Sequence, residues 1–169
     1  MTLERARRRD RAAQAEVLRC VQDRLWRVCR ALLGRDALAE DAVQEAALRI
    51  LAGLPGFDGS SRTTTWATGI AVNVCREWRR RQARDQRAPA PHAFSAPPAS
   101  AGDDEVAALH AALERLPERQ REAVVLRYLE GLDVNQTAEL MGCAPGTVKA
   151  SVHAGLANLR RLVERQDWR

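Results

Sequence analysis

Apolar residues recur at three- and four-residue steps through most of this 169-residue chain. This spacing is typical of amphipathic helices, each of which buries one face. In the first half of the chain it predicts helices over about 9–33, 37–51 and 63–86, and further helices follow from residue 103. We therefore expect an all-α fold.

The first two predicted helices differ in how many faces they must bury. The first carries a single apolar stripe formed by Ala13, Val17, Val21, Leu25 and Val28. The second has a core stripe formed by Ala39, Val43, Ala46 and Ile50, and a separate face formed by Asp41, Gln44, Leu48 and Leu51. Leucines beside an acid and an amide indicate a partner surface. The alternative is that another helix of the same domain covers Leu48 and Leu51.

A turn-rich loop precedes the third helix, which is strongly basic. The loop spans 54–62, where Phe57 is the expected anchor in the core. The following helix places Ile70, Ala71, Val74 and Trp78 on its core face and Asn73, Arg76, Arg79 and Arg80 on the other side. Only Glu77 and Asp85 offset six arginines between residues 76 and 87. This imbalance favours a phosphate-binding face over an ordinary solvated one.

Composition divides the chain into two parts. Four of the seven prolines fall within 88–102 among Ala and Ser, which predicts an extended linker. The expected organisation is a helical domain at 1–87, a linker at 88–102 and a second helical domain at 103–169. The first domain has 18 basic and 11 acidic residues, whereas the rest of the chain has 9 basic and 11 acidic ones. A basic half indicates a polyanionic partner.

The second domain begins with two short helices. Its first helix has an expected buried face formed by Val106, Leu109, Leu113 and Leu116. The chain then breaks, and a new helix begins with Pro117 in its first turn. The second helix should pack inward through Val124, Val125, Tyr128 and Leu129.

The last third of the chain predicts a helix-turn-helix. Asp133 can cap a short helix over 134–141, Gly142 breaks it, and Pro145 suits the first turn of a longer helix. That helix has one apolar face formed by Val148, Val152, Leu156, Leu159 and Val163. Such a pair places its second helix in the DNA major groove. A plain helical hairpin is the alternative.

No feature of the sequence indicates an enzyme, a metal or a cofactor. The four cysteines and three histidines are scattered without ligand spacing, and no phosphate loop or nucleophile motif is present. No apolar run could span a bilayer, and the charged N-terminus lacks the apolar stretch of a secretory signal. We therefore expect a cytoplasmic protein that is not an enzyme and needs no cofactor.

Two groups of motifs resemble the bacterial sigma-70 superfamily. The stretch from Leu116 to Leu132, with 137–143 and 146–149, looks like sigma region 4. Residues 39–45, Thr65-Trp66, 70–73 and Arg79-Arg80 look like region 2. Two regions joined by a short linker resemble the extracytoplasmic-function (ECF) class, which lacks region 3. The match covers roughly 17–163.

The resemblance implies a role in transcription initiation. Such proteins bind core RNA polymerase through the clamp coiled coil and the flap, and are commonly controlled by an anti-sigma factor. The residues that would face polymerase are Asp41, Gln44, Glu45 and Leu48. The residues that would meet the −10 element, with the 57–64 loop holding a flipped base, are Arg62, Thr64, Trp66, Asn73, Arg76, Arg79 and Arg80. The −35 element would meet Pro145, Thr147, Lys149, Ala150, His153, Arg160 and Arg161.

The chain departs from the usual pattern at two places. Ala67 stands where primary sigma factors have a second tryptophan, so we expect weaker promoter melting. Trp66 is open to two interpretations, a stacking residue or a core residue. The outer face of the recognition helix is formed by Thr147, Ala150, Ala154, Ala157 and Arg161. Because alanine makes no bidentate base contact, we expect region 4 to use phosphate contacts from Lys149, Arg160 and His153, together with DNA shape.

Two other classes of protein remain as alternatives. A two-domain regulator with a LuxR-like effector domain would use the same helix-turn-helix without docking on polymerase. A pure interaction protein would use its basic helices only for partner binding. The second face of the 37–51 helix distinguishes these readings, because a regulator needs no polymerase surface.

Overall fold

A computed structural model describes residues 2–85 and 103–164. These residues contain only helices and connecting turns, so the all-α fold is confirmed. The predicted linker at 88–102 lies outside the described residues. The helices are α1 Thr2–Arg7, α2 Arg11–Leu33, α3 Asp36–Gly53, α4 Thr63–Asp85, α5 Asp103–Glu114, α6 Glu118–Val124, α7 Val134–Met141 and α8 Pro145–Glu164. A 3₁₀ turn, Leu54–Gly56, follows α3, and a π-helical turn, Val125–Leu129, follows α6.

Helices α2, α3 and α4 form the core of the N-terminal domain, which we define as residues 2–85. The predicted stripe of α2 is buried from Ala13 to Val28, and on α3 Ala39, Ala46 and Ile50 have no exposed surface. The carboxylate of Asp10 accepts a hydrogen bond from the backbone N–H of Ala13 and caps α2. These local signals explain why the sequence predicted both helices correctly.

Helix α1 was not predicted from the sequence. It is short and rich in arginine, and only Ala6 is fully buried against the rest of the domain. The chain reverses after it through Arg9, which has a φ of 64°, and the guanidinium of Arg5 pairs with Asp10 at 2.7 Å. A single buried alanine gives no periodic signal, so the pattern could not reveal this helix.

The expected buried face of α5 is only half correct. Leu113 and Leu116 are buried, whereas Val106 is 53% exposed and Leu109 is 43% exposed. Residues 106–109 are all exposed, and burial along α5 begins nearer its C-terminal end. The prediction was wrong because helical periodicity does not show where along a helix its neighbours end.

The prediction that Tyr128 packs inward was wrong, because Tyr128 lies in the π-helical turn and is 62% exposed. The backbone N–H of Glu130 donates to the carbonyl of Val125, five residues earlier, at 3.1 Å. This wider turn rotates the following residues away from the α-helical register. Val124 and Val125 are buried as expected, and Leu126 is also buried.

The helix-turn-helix is present as predicted. Asp133 and Gln136 form a reciprocal capping box at the start of α7, and Gly142 ends that helix with a φ of 59°. Pro145 is the first residue of α8. Gly155 is buried on α8, where an added Cβ would lie 2.8 Å from a methyl of Val124. The α6–α8 contact therefore runs through Gly155, and Leu156 and Val163 are exposed, which the apolar pattern did not predict.

The C-terminal domain, defined here as residues 103–164, packs directly on the N-terminal domain. Arg121 of α6 is buried and donates one hydrogen bond across the boundary to the carbonyl of Leu32 at 2.9 Å. The same guanidinium donates to the carbonyls of Glu114 and Leu116. It therefore satisfies carbonyls at the ends of both α2 and α5. Burial lowers the pKa of Arg121 to about 10.

Candidate nucleic-acid and polymerase interfaces

The basic face of α4 carries four of the predicted DNA-binding residues. Asn73 and Arg80 are exposed, and the amide oxygen of Asn73 accepts a hydrogen bond from Arg76 at 3.0 Å. Arg76 and Arg79 are partly buried because the C-terminal domain lies against them. The four predicted residues thus share one side of α4, and Arg76, Arg79 and Arg80 line a cleft of about 420 Å³.

The loop after the 3₁₀ turn forms a small pocket. Phe57 is buried as predicted, and Trp66 stacks on it. These two aromatic residues line, with Ile70 and the loop, a pocket of about 400 Å³. A base held there would lie against the apolar surface of these aromatic rings. Arg62 is exposed at the loop end, and Thr64 lies half-buried in the first turn of α4.

The loop is shaped by Asp58 and Gly59. The carboxylate of Asp58 accepts a hydrogen bond from the backbone N–H of Ser60 at 2.9 Å, which holds the pKa of Asp58 below its usual value. Gly59 has a φ of 79°, a conformation that side chains disfavour. The conformation of the loop is therefore fixed by its own turn residues.

Trp66 is both a packing residue and a lining residue of this pocket. It packs partly against the domain core, and an added Cβ on Gly53 would lie 2.9 Å from Cζ2 of its indole. The two interpretations offered by the sequence are thus compatible. Ala67, by contrast, has no exposed surface. An aromatic side chain at position 67 would enter the core, so the expectation that Ala67 weakens base stacking has no geometric basis here.

The recognition helix presents its predicted DNA residues to solvent. Pro145, Thr147, Lys149, Ala150 and His153 are all exposed at its N-terminal half. Arg160 and Arg161 are exposed two to three turns further on. The helix therefore offers small side chains flanked by cations, an arrangement suited to groove entry and phosphate contact.

The outer surface of α3 carries the predicted polymerase residues. Asp41 and Gln44 are exposed, and Leu48 is 67% exposed. Leu51, in contrast, packs partly against the core. Leu51 is therefore covered within its own domain, whereas Leu48 is not and remains available to a partner. Sequence reasoning missed Trp26 of α2, which lines a groove of about 590 Å³ beside Val43 and Gln44.

Glu45 lies on the flank of α3 and is held within the N-terminal domain. Its carboxylate accepts hydrogen bonds from the indole N–H of Trp78 at 2.6 Å and from Arg49 at 2.5 Å. The hydrogen bond from Trp78, followed by that from Arg49, holds the pKa of Glu45 below its usual value. Arg49 also forms a two-point contact with Glu77 of α4. This cluster fixes α3 against α4.

Other kinds of site are not evident in the part of the chain that the structure describes. Residues 2–85 and 103–164 contain no group of three or more His, Cys, Asp or Glu side chains placed to hold a metal ion. Within these same ranges, no helix combines the length and apolar content that crossing a bilayer requires. The described helices thus present two surfaces with exposed basic residues, on α4 and α8, and a separate surface on α3 with an exposed leucine.

Comparison with known proteins identifies the family. Residues 17–85 match the profile of Sigma-70 region 2, and residues 107–159 match that of Sigma-70, region 4. The chain is 32% identical to the ECF RNA polymerase sigma factor SigM of Mycobacterium tuberculosis over 154 residues, covering 91% of this chain and 79% of SigM. It is 34% identical to SigD of the same species over 163 residues, covering 89% of this chain and 77% of SigD.

A solved structure shows the same architecture. The sigma factor RpoE of Bartonella quintana, in complex with the anti-sigma factor NepR, is similar with a TM-score of 0.78 and 26% identity. The match covers 89% of this chain and 96% of that one. The chain therefore belongs to the ECF RNA polymerase sigma factors.

Proposed function

We propose that this protein binds core RNA polymerase and directs it to a set of promoters. The observation that carries the proposal is the outer surface of α3, where Leu48 is exposed beside Asp41 and Gln44. An apolar residue among polar ones, on a helix within the Sigma-70 region 2 match, suits protein docking. A regulator that only binds DNA has no use for this surface. The clamp coiled coil is the proposed partner of this face, and the flap is that of region 4.

The −10 element is assigned to the N-terminal domain, whose proposed bounds in the full chain are 1–87. The pocket formed by Phe57, Trp66 and Ile70 would hold one flipped base. The neighbouring arginines of α4 would track the backbone phosphates, with Asn73 beside them. Capture of bases as they unstack requires no nucleotide hydrolysis, so the protein acts as an initiation factor without a reaction of its own.

The −35 element is assigned to the C-terminal domain, whose proposed bounds in the full chain are 103–169. The exposed N-terminal half of α8 would enter the major groove. Lys149 and Arg160 would contact phosphates, while Ala150 offers apolar contact to thymine methyls. Binding should therefore depend strongly on salt and on DNA shape.

Control by an anti-sigma factor is part of the proposal. RpoE of Bartonella quintana was solved with the anti-sigma factor NepR, and one superposition covers most of both domains of this chain. The support is the shared arrangement of the two domains. The protein would act in the cytoplasm, where polymerase and DNA are found.

The test is co-purification with bacterial core RNA polymerase. We expect the wild-type chain to bind, and Leu48→Glu to lose binding because it puts a charge in the apolar contact. Ala15→Glu is the matched control, since Ala15 is exposed on a different helix, α2. Failure of the wild-type chain to bind core polymerase, or equal binding by Leu48→Glu, would contradict the docking assignment.

A further inference from the structure

Helix α1 and the turn after it have a basic surface that none of the assignments above uses. Residues 2–11 lie outside the Sigma-70 region 2 match at 17–85. They contain two acidic side chains, Glu4 and Asp10, and five basic ones, so the segment carries a surplus of three positive charges. The basic residues are Arg5, Arg7, Arg8, Arg9 and Arg11.

The ion pairs of this segment leave its arginines available to another anion. The carboxylate of Glu4 lies 3.3 Å from the guanidinium of Arg7 and 3.9 Å from that of Arg8. The side chain of Arg8 is 80% exposed, and that of Glu4 is 57% exposed. Ion pairs in contact with water contribute little free energy. A phosphate can therefore replace Glu4 beside either arginine at small cost.

The basic segment is a folded part of the N-terminal domain. Ala6 is fully buried, and its carbonyl accepts a hydrogen bond from the side-chain amide of Gln14 at 3.4 Å. Asp10 joins the two helices, because its carboxylate pairs with Arg5 of α1 and also caps α2. Arginines on a fixed helix are already placed as a group, which reduces the entropy lost when they bind a ligand.

Helix α1 lies beside the loop that forms the base pocket. It packs against the 3₁₀ turn Leu54–Gly56, which leads directly into Phe57. Asp58, the next residue, lines the pocket. The hydrogen bonds from Ser60 lower the pKa of Asp58 most, and the positive charge of Arg7 lowers it further. Arg7 therefore acts on the wall of the pocket from a helix that the apolar pattern did not reveal.

The ionised carboxylate of Asp58 creates a need for such a cation. A base held in the pocket leaves its neighbouring phosphates outside, near this negative charge, which repels them. Proteins that bind a single strand place cations along the path of its backbone beside the aromatic rings that hold the bases. Arg7 offsets the charge of Asp58, and Arg8 adds a second exposed cation next to it in the chain.

From this placement we propose that α1 is a second phosphate-binding element of the −10 surface. Arg7 and Arg8 contact the backbone of the unpaired strand next to the base that Phe57 and Trp66 hold. The strand thus meets cations from two helices, α1 and α4. The inference rests on the proposed function, since it concerns the strand that the pocket captures.

The first test measures binding of the intact chain to a fluorescent 20-mer, as a single strand and as a duplex. Each phosphate contact with a single strand contributes about 0.7 to the salt slope, or about fivefold in affinity at 0.1 M salt. We expect Arg7→Gln with Arg8→Gln to weaken single-strand binding by about 5- to 25-fold and to reduce the salt slope by about 0.7–1.4. Duplex binding, which is assigned to α8, should stay within about twofold of wild type.

Arg19→Gln with Arg35→Gln is the matched control. This double variant makes the same change in net charge at two exposed positions, one on α2 and one just before α3. It should bind the single strand as the wild-type chain does. Equal losses in the two double variants would show a general effect of net charge and would overturn the assignment to α1.

A second comparison separates a phosphate contact from an effect exerted through Asp58. Asp58→Asn removes the negative charge and keeps a side-chain oxygen that accepts a hydrogen bond in such a turn. Because Arg7 and Arg8 contact phosphates in this proposal, their replacement should cost the same affinity in the Asp58→Asn background as in wild type. A cost that disappears in that background would show that the two arginines only neutralise Asp58.

The outcomes distinguish this inference from the proposed function. Single-strand binding by wild type without a specific loss in the α1 variant, or with an equal loss on the duplex, overturns the role of α1. The pocket and α4 then remain the −10 surface. Absence of single-strand binding by the wild-type chain contradicts the −10 assignment itself, and the role of α1 with it.

Discussion

The indole ring of Trp66 lies over the phenyl ring of Phe57, with ring centroids 4.7 Å apart and planes inclined by 27°. This stack joins the first turn of α4 to the loop that lines the proposed base pocket. Stacked aromatic pairs contribute about 0.5–1.5 kcal/mol beyond their buried area. The stack therefore sets the shape of the pocket as well as the stability of the loop.

The close contact between Trp66 and Gly53 allows a test of that role. Gly→Ala within a helix ordinarily stabilises by about 0.5–1 kcal/mol. At Gly53 the new methyl would push the indole, so we expect no such gain in thermal unfolding. Binding of single-stranded −10 DNA should weaken by at least about fivefold, or roughly 1 kcal/mol.

Gly56→Ala is the control for this substitution. A Cβ at Gly56 meets no atom within 4 Å, so the added methyl displaces nothing. If Gly53→Ala gains stability and keeps its affinity, the stack does not shape the pocket.

Arg121 should be a main determinant of the stability of the C-terminal domain. Arg121→Met removes a buried charged donor from three carbonyls, and we expect a loss of about 2–3 kcal/mol in the free energy of unfolding. Urea unfolding measures this loss. Arg115→Met, at an exposed position nearby, should stay within about 0.5 kcal/mol of wild type. Equal stability of the two variants would show that the carbonyls find other donors.

The contacts of Arg49 with Glu45 and Glu77 should make the stability of the N-terminal domain depend on pH in the acid range. The hydrogen bonds from Arg49 hold the pKa of Glu77 below its ordinary value, and Trp78 and Arg49 do the same for Glu45. Because these pKa values are lower in the folded state, the stabilisation is present above about pH 4.5 and is lost as the pH falls further. The melting temperature should drop in that range.

Arg49→Met is the variant that checks this assignment. It should be less stable than wild type at neutral pH, and the difference between the two proteins should shrink as the pH falls below about 4.5. A difference that stays constant down to pH 3 would assign the acid sensitivity to other carboxylates.

Lys149 should supply affinity without sequence preference. Its ammonium group is exposed near the start of α8, where a phosphate contact is expected. Lys149→Ala should weaken binding to all −35 sequences equally and reduce the salt slope by about one. Lys149→Arg keeps the charge and should bind as wild type does. A loss confined to one base pair would identify a base contact instead.

Local sequence signals predicted most of the helices but not how the domains meet. The stripe of α2 and the capping box of Asp133 act within a few residues, so the pattern contained them. The burial of Tyr128 was wrongly predicted because a π-helical turn changes the helical register, and the apolar pattern gives no sign of such a turn. Gly155 was overlooked because a residue without a side chain leaves no apolar signal.

The candidate site was likewise predicted only where the signal is local. The sequence placed Arg76 and Arg79 correctly on one face of α4. It could not reveal that Glu118 and Glu122 cover them, because these contacts join residues about 40 or more positions apart. Trp26 was missed for a related reason, since its groove exists only when α2 and α3 lie side by side.

Run-off transcription by polymerase reconstituted with this protein tests the central claim most directly. The template would be a pool of promoter fragments, with core polymerase alone as the reference. We predict new start sites whose upstream sequences share a −10 element and a −35 element. These start sites should be lost with Leu48→Glu. Start sites identical to those of core polymerase alone would contradict the account.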